Sequence, residues 1–240
     1  MSSNKGACLV CGKPLQYFDK PMLMECEYCH NSFESYAACE DGHFICDNCH
    51  TEKGVNAIIE LCLKSSSKNP VELIQKIMNS PYIYMHGPEH HIMVGASLLT
   101  AYKNSGGDID LKDALDEMKS RGSKYPGGSC GYWGCCGAAV STGMFFSIIT
   151  KTTPLSSLSW GQGNLITSNA LKAIGEIGGP RCCKRNSFTA IISAVEFVKE
   201  YLNIEMELPK NIRCGYSAQN KQCLGKRCPY NKESINPIKD

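Results

Sequence analysis

A chain of 240 residues has room for one large domain, or for one of ordinary size with a small module attached. With 42% apolar and 20% charged residues it can build a core, and its net charge of +2 gives no electrostatic reason to expect nucleic acid or an anionic membrane as partner. No apolar run approaches the roughly eighteen residues of a membrane-spanning helix. Met1 to Gly6 is polar and lacks the apolar core of a signal peptide, so the expected location is the cytoplasm.

Sixteen cysteines dominate the chemistry. A disulfide-rich secreted protein is usually small and carries an export signal, whereas clustered cysteines in a reducing compartment are metal ligands or catalytic thiols. Seven lie between Cys8 and Cys49, Cys62 stands alone, and eight lie between Cys130 and Cys228. This distribution divides the chain into a zinc-binding module, residues 1–52, and a helical cysteine-rich domain, residues 53–240, with an irregular tail from about Pro209.

The module presents four ligand pairs in order: Cys8 with Cys11, Cys26 with Cys29, Cys39 with His43, and Cys46 with Cys49. A Cys-x2-Cys turn aims two thiolates at one ion, and zinc takes four N or S ligands in a tetrahedron, so four pairs supply two closed sites. Cys26–His30 and Cys46–His50 also match the haem-attachment pattern CxxCH, but that attachment normally takes place outside the cytoplasm. The order of pairs resembles the cross-brace of RING-type and treble-clef fingers, in which alternate pairs share an ion. That resemblance implies one zinc on Cys8, Cys11, Cys39 and His43 and another on Cys26, Cys29, Cys46 and Cys49; sequential pairing is the alternative. A closed four-ligand zinc folds, docks or recognises, and a protein partner is expected here if anywhere.

Beyond residue 52 the period is helical. Val55, Ile58, Ile59, Cys62 and Leu63 form an apolar stripe, and Cys62 reads as core. Asn69 followed by Pro70 predicts an N-cap and first turn; Pro88 opens a helix to about Asn104; Asp110 caps one over 111–121, stopped by Gly122. Residues 136–150, 164–177 and 187–202 predict three more, and Gly137, Ala138, Ala139, Ser141 and Gly143 predict close helix packing. Strand-like alternation is scarce outside the module, so the fold is expected to be mostly α.

Three polar helix starts carry the remaining chemistry. His86-Gly87-Pro88-Glu89-His90-His91 groups three of the six histidines with a carboxylate, a composition suited to metal or acid–base work. Cys130, Cys135 and Cys136 sit among glycines ahead of a helix, whose free N–H groups favour a thiolate. Gly178-Gly179-Pro180-Arg181-Cys182-Cys183 repeats the design, with Arg181 suited to an anion, and the tail adds Cys214, Cys223 and Cys228-Pro229. Thiols in excess of zinc's needs and the Cys-Pro ending favour an iron–sulfur cluster; further zinc or a thiol–disulfide relay are the alternatives.

The strings MHGPEHH, GGSCGYWGCCGAA, GGPRCCKRNSF and CGYSAQNKQCLGKRCPYN resemble an uncharacterised family of prokaryotic cysteine-rich domains over residues 80–231. Its members come mainly from anaerobes, some in chains labelled as methyltransferases. The resemblance implies that the matched Cys, His, Glu and Arg positions are the functional set. No strand followed by a glycine-rich loop for S-adenosylmethionine accompanies them, nor does a CxxxCxxC motif. The leading expectation is an iron–sulfur or thiolate-dependent enzyme of anaerobic metabolism acting in redox, sulfur-handling or thiol-group transfer on an unspecified small molecule. His86, Glu89, His90 and His91 would move protons, Arg181 would hold an anion and Cys136 would serve as nucleophile. Cys130, Cys135, Cys182, Cys183, Cys214, Cys223 and Cys228 would bind the cofactor. The competing expectation is a zinc-stabilised adaptor or a metal or redox sensor.

Overall fold

The computed structural model describes residues 8–234; the polar segment Met1 to Gly6 and the end of the tail, residues 235–240, lie outside the described residues. The chain opens with an antiparallel hairpin of β1 (Leu15–Glu25) and β2 (Ser32–Cys39). Its register runs from Leu15 opposite Cys39 to Glu25 opposite Ser32, with a bulge between Tyr17 and Met22. β1 therefore carries the chain from the Cys8–Cys11 turn to the Cys26–Cys29 turn, and β2 carries it back to Cys39 at the first end. No residue of β1 is buried, and the hairpin builds no hydrophobic core of its own.

Eight helices follow among the described residues: α1 (Asp47–Lys64), α2 (Pro70–Met78), α3 (Glu89–Asn104), α4 (Leu111–Ser123), α5 (Ser129–Tyr132), α6 (Gly137–Ile149), α7 (Leu158–Ile177) and α8 (Cys183–Leu202). The fold is mostly α, with a small cysteine-rich N-terminal module, as the sequence predicts. No helix among the described residues is long and apolar enough to cross a membrane. The expected caps operate: Asn69 Oδ1 accepts from the amides of Val71 and Glu72, and Asp110 accepts from Asp113.

Helix α3 is the axis of the domain. It packs against α1, α2, α4, α6 and α8, and Ile92 to Tyr102 is buried throughout. The small residues of α6 allow the closest approaches. The Gly95 amide donates to Ser141 Oγ at 2.9 Å, a Cβ on Gly95 would collide with Met118, and one on Gly137 would collide with the His91 ring. Cys62 is fully buried, and burial pushes its thiol up to about 12, as befits a core residue with no ionising role.

Some boundaries differ from the sequence expectation. α7 begins at Leu158 rather than 164, because its exposed first turns, with Leu158 and Trp160 at the surface, break the apolar stripe. α8 begins at Cys183 rather than 187, with Cys182 as N-cap accepting from the Arg185 amide at 3.5 Å. The short helix α5, opened by Gly128 in the left-handed region, follows no periodic signal.

The irregular tail folds back onto the helices. Tyr230 is fully buried, its hydroxyl 2.9 Å from Thr189 Oγ1 and its ring edge-on to Phe188, both on α8. The Cys214 amide donates to the Tyr230 carbonyl, closing the segment between them.

Candidate metal centre and thiol site

Two groups of donor atoms converge in the N-terminal module: Cys8, Cys11, Cys39 and His43, and Cys26, Cys29, Cys46 and Cys49. Within each group all ligand atoms lie within 4.8 Å of one another. Cys11 and Cys39 sulfurs are 3.8 Å apart, as are those of Cys29 and Cys46, while Cys39 Sγ lies 3.3 Å from His43 Nδ1. A tetrahedral ion with sulfurs at about 2.3 Å sets them about 3.8 Å apart, so the spacing suits one ion per group. Both groups can hold a metal ion.

The hairpin produces this alternate grouping by returning the Cys39 end of β2 to the start of β1. The knuckle turns need left-handed backbone after their second ligand: Gly12 has φ 77° and His30 φ 56°. His30 is thus a turn residue, its ring on Glu25 at the surface, while His50 is buried and stacked on Tyr84 at 3.8 Å. The thiols of the two CxxCH strings face each other in a single four-cysteine group, an arrangement unlike haem attachment.

Electrostatics fit ligation. Burial opposes ionisation of Cys26, but amide donation from Cys46, Cys29 and Tyr28 outweighs it and brings the thiol down to about 6. Burial and the adjoining sulfurs push Cys49 up to about 12. A metal binds such sulfurs as thiolates, so its uptake releases protons.

The second assembly lies where the three polar helix starts and the tail meet. The Cys183 amide donates to His86 Nδ1 at 3.4 Å. His86 Nε2 then donates to Asn220 Oδ1 at 3.3 Å, and Asn220 Nδ2 reaches Cys182 Sγ at 3.4 Å. Asn186 Nδ2 lies 3.3 Å from Cys136 Sγ. Burial, with help from Arg181 and Lys184, holds His86 below the usual imidazole range and keeps it neutral. Tyr125 donates its hydroxyl to the Cys135 carbonyl and stands in electrostatic range of Cys130, Cys135 and Cys136.

The histidines separate into different roles. His90 is buried, donates from Nδ1 to the Gly87 carbonyl at 3.0 Å, and leaves Nε2 without a partner. His91 donates from Nδ1 to the Tyr125 carbonyl at 3.2 Å and lays its ring against Gly137 at the start of α6. Only His86 of the three joins the hydrogen-bond chain to Cys182 and Cys183. Arg181 is exposed; the buried cations are Lys184 and Arg185. Lys184 donates to the Tyr84 carbonyl at 3.0 Å and lies over the Tyr216 ring. Arg185 donates to the carbonyls of Gly178 and Pro180. Sequence reading noted Arg185 as a cation suited to a thiolate or an anion but passed over Asn186 and Asn220, although the unusual run Cys-Cys-Lys-Arg-Asn at a helix start was a signal for the first.

Glu89 is fully buried, with both carboxylate oxygens lacking a hydrogen bond, and burial raises its pKa. A raised folded value means that the stability Glu89 contributes is complete below its ordinary range near 4.5 and is lost as pH rises through the folded value. Glu89→Gln removes that loss. Thermal melts between about pH 4 and about pH 8 are therefore expected to show the variant gaining on the parent as pH climbs, with parallel curves as the contrary result.

The fold is a helical domain with thiols at its helix starts, preceded by a cysteine module whose two donor groups could each hold a metal ion. The chain belongs to a family of unknown function (DUF5714), whose model matches residues 58–231, more than two thirds of its length. The module's ligands precede the matched span. No curated protein and no solved structure matches the chain.

Proposed function

We propose that this protein is an iron–sulfur enzyme of anaerobic metabolism, acting in redox or thiolate-dependent chemistry in its helical domain, with the N-terminal module held by two structural zinc ions. The observation that supports the reading is the hydrogen-bonded chain through Cys183, His86, Asn220 and Cys182, with the tail cysteines Cys214, Cys223 and Cys228 lining a recess beside Cys182 and Asn220. Thiolates with tuned hydrogen bonds and little access to water are the setting in which cluster potentials are adjusted. When bound, an iron–sulfur cluster supplies one-electron chemistry. Neutral His86 would hold a proton at Nε2 beside it, and Asn186 would orient the Cys136 thiol.

All eight donors of the N-terminal module are committed to its two groups, which favours a structural part for it. Its exposed Tyr17, Leu23 and Tyr36 suit contact with a protein partner, the expectation a non-catalytic adaptor shares. Nothing in the charge balance favours a nucleic acid or a membrane surface. Metal and acid-labile sulfide analysis of protein purified without oxygen tests the reading: iron and sulfide must accompany zinc.

A further inference from the structure

The eight thiols of the helical domain divide into two sets. Cys182, Cys214, Cys223 and Cys228 line one recess together with Met85, Arg185, Tyr216 and Asn220. Cys130, Cys135 and Cys136 lie outside its lining, on the Tyr125 side. Cys183, although adjacent to Cys182, receives the Gly87 amide and stands in electrostatic range of Cys136.

Every sulfur in the recess accepts a main-chain N–H from a residue two or three positions on. Arg185 donates to Cys182 at 3.5 Å, Tyr216 to Cys214 at 3.4 Å, Gly225 to Cys223 at 3.4 Å, and Tyr230 to Cys228. The same device serves the convergent ligands of the N-terminal module, where Val10 donates to Cys8 and Asp41 to Cys39. Such donation tunes a bound metal and offsets part of the burial that holds the free Cys214 and Cys228 thiols above their ordinary value.

One further observation points to an anionic occupant. Arg185, only 3% exposed, lines the recess with Nη1 buried and lacking a hydrogen-bond partner, an unmet donor that a negatively charged group would satisfy.

We infer that Cys182, Cys214, Cys223 and Cys228 are the four ligands of one iron–sulfur cluster, with Arg185 and Asn220 holding it, and that Cys130, Cys135, Cys136 and Cys183 are not its ligands. The assignment rests on the reading above that the helical domain binds a cluster. It leaves the Cys136 side free to face a substrate.

Full-length protein is reconstituted with iron and sulfide without oxygen, and single cysteine variants are compared. Cys214→Ala, Cys223→Ala and Cys228→Ala are expected to lose iron, sulfide and visible absorption together, while Cys130→Ala and Cys135→Ala keep them. Alkylation of the loaded parent protein, mapped by mass spectrometry, reads the ligands without relying on any variant's folding. Cys214 and Cys223 are half-buried, like Cys130 and Cys135, so burial alone predicts equal labelling. Cluster ligation predicts that Cys214 and Cys223 are protected and become reactive once the cluster is removed. A loaded parent whose Cys130 and Cys135 are protected while Cys214 and Cys223 react overturns the assignment alone. A parent that takes up neither iron nor sulfide overturns the broader reading with it.

Discussion

Stripping the N-terminal module of metal, by chelation or by Cys46→Ala, is expected to unfold residues 8–45 while α2 to α8 persist. The buried residues of that segment are Cys8, Cys26, Ala38 and Cys39, three of them members of the two donor groups. A core of that size cannot offset the entropy of ordering the hairpin. Structural zinc contributes roughly 10–16 kcal/mol of apparent binding free energy in small fingers, all of it absent from the metal-free state. Cys46 also caps α1 by accepting from the Cys49 amide, so its loss frays the first turn, where His50 stacks on Tyr84. Limited chymotrypsin digestion is the check, with rapid cleavage after Tyr17, Phe18 and Tyr36 in the metal-free protein. Equal resistance with and without metal would show that the hairpin holds itself.

The second large effect belongs to the tail. Tyr230→Ala is expected to destabilise the protein by about 3–5 kcal/mol, the range for emptying a buried aromatic site. The side chain is among the largest that are fully buried, and it anchors on α8 a segment with no regular secondary structure beyond two short 3-10 turns, Ser217–Gln219 and Gly225–Arg227. Releasing it also detaches Cys214, Cys223 and Cys228 from Cys182, so cluster binding should fail with the fold of the tail. Tyr230→Phe keeps the ring against Phe188 and loses the contact with Thr189, a change worth about 1 kcal/mol. Chemical denaturation separates the two variants. Similar midpoints for Tyr230→Ala and the parent would mean that the tail contributes little to the core.

The helical architecture was readable because its signals are local. Asn69-Pro70 and Asp110 mark helix starts by cap chemistry, and the glycines and alanines of α6 mark close packing without any knowledge of its neighbours. The ligand groups of the module were readable from spacing and order, because a two-residue gap already constrains where two thiols point. Relations made by the tail were beyond reach. That Asn220 reaches Cys182, and that Tyr230 fills a space on α8, depends on packing between segments far apart in sequence.

The start of α8 was misplaced for a related reason. Cationic residues in a first turn run against the helix dipole, and only carbonyls from other segments make Lys184 and Arg185 tolerable there. Burial was equally invisible in the cluster His86 to His91: four polar residues within six read as one site, yet the helix turns His90 and Glu89 into the core and leaves His86 at the thiols.

The measurement that bears most directly on the account is metal and acid-labile sulfide content, with an absorption spectrum, on protein purified without oxygen. The account predicts about two zinc ions per chain together with iron, sulfide in similar amount, and a broad band near roughly 400 nm. A colourless protein holding zinc alone would contradict it and leave the helical domain's cysteines as thiols or zinc ligands.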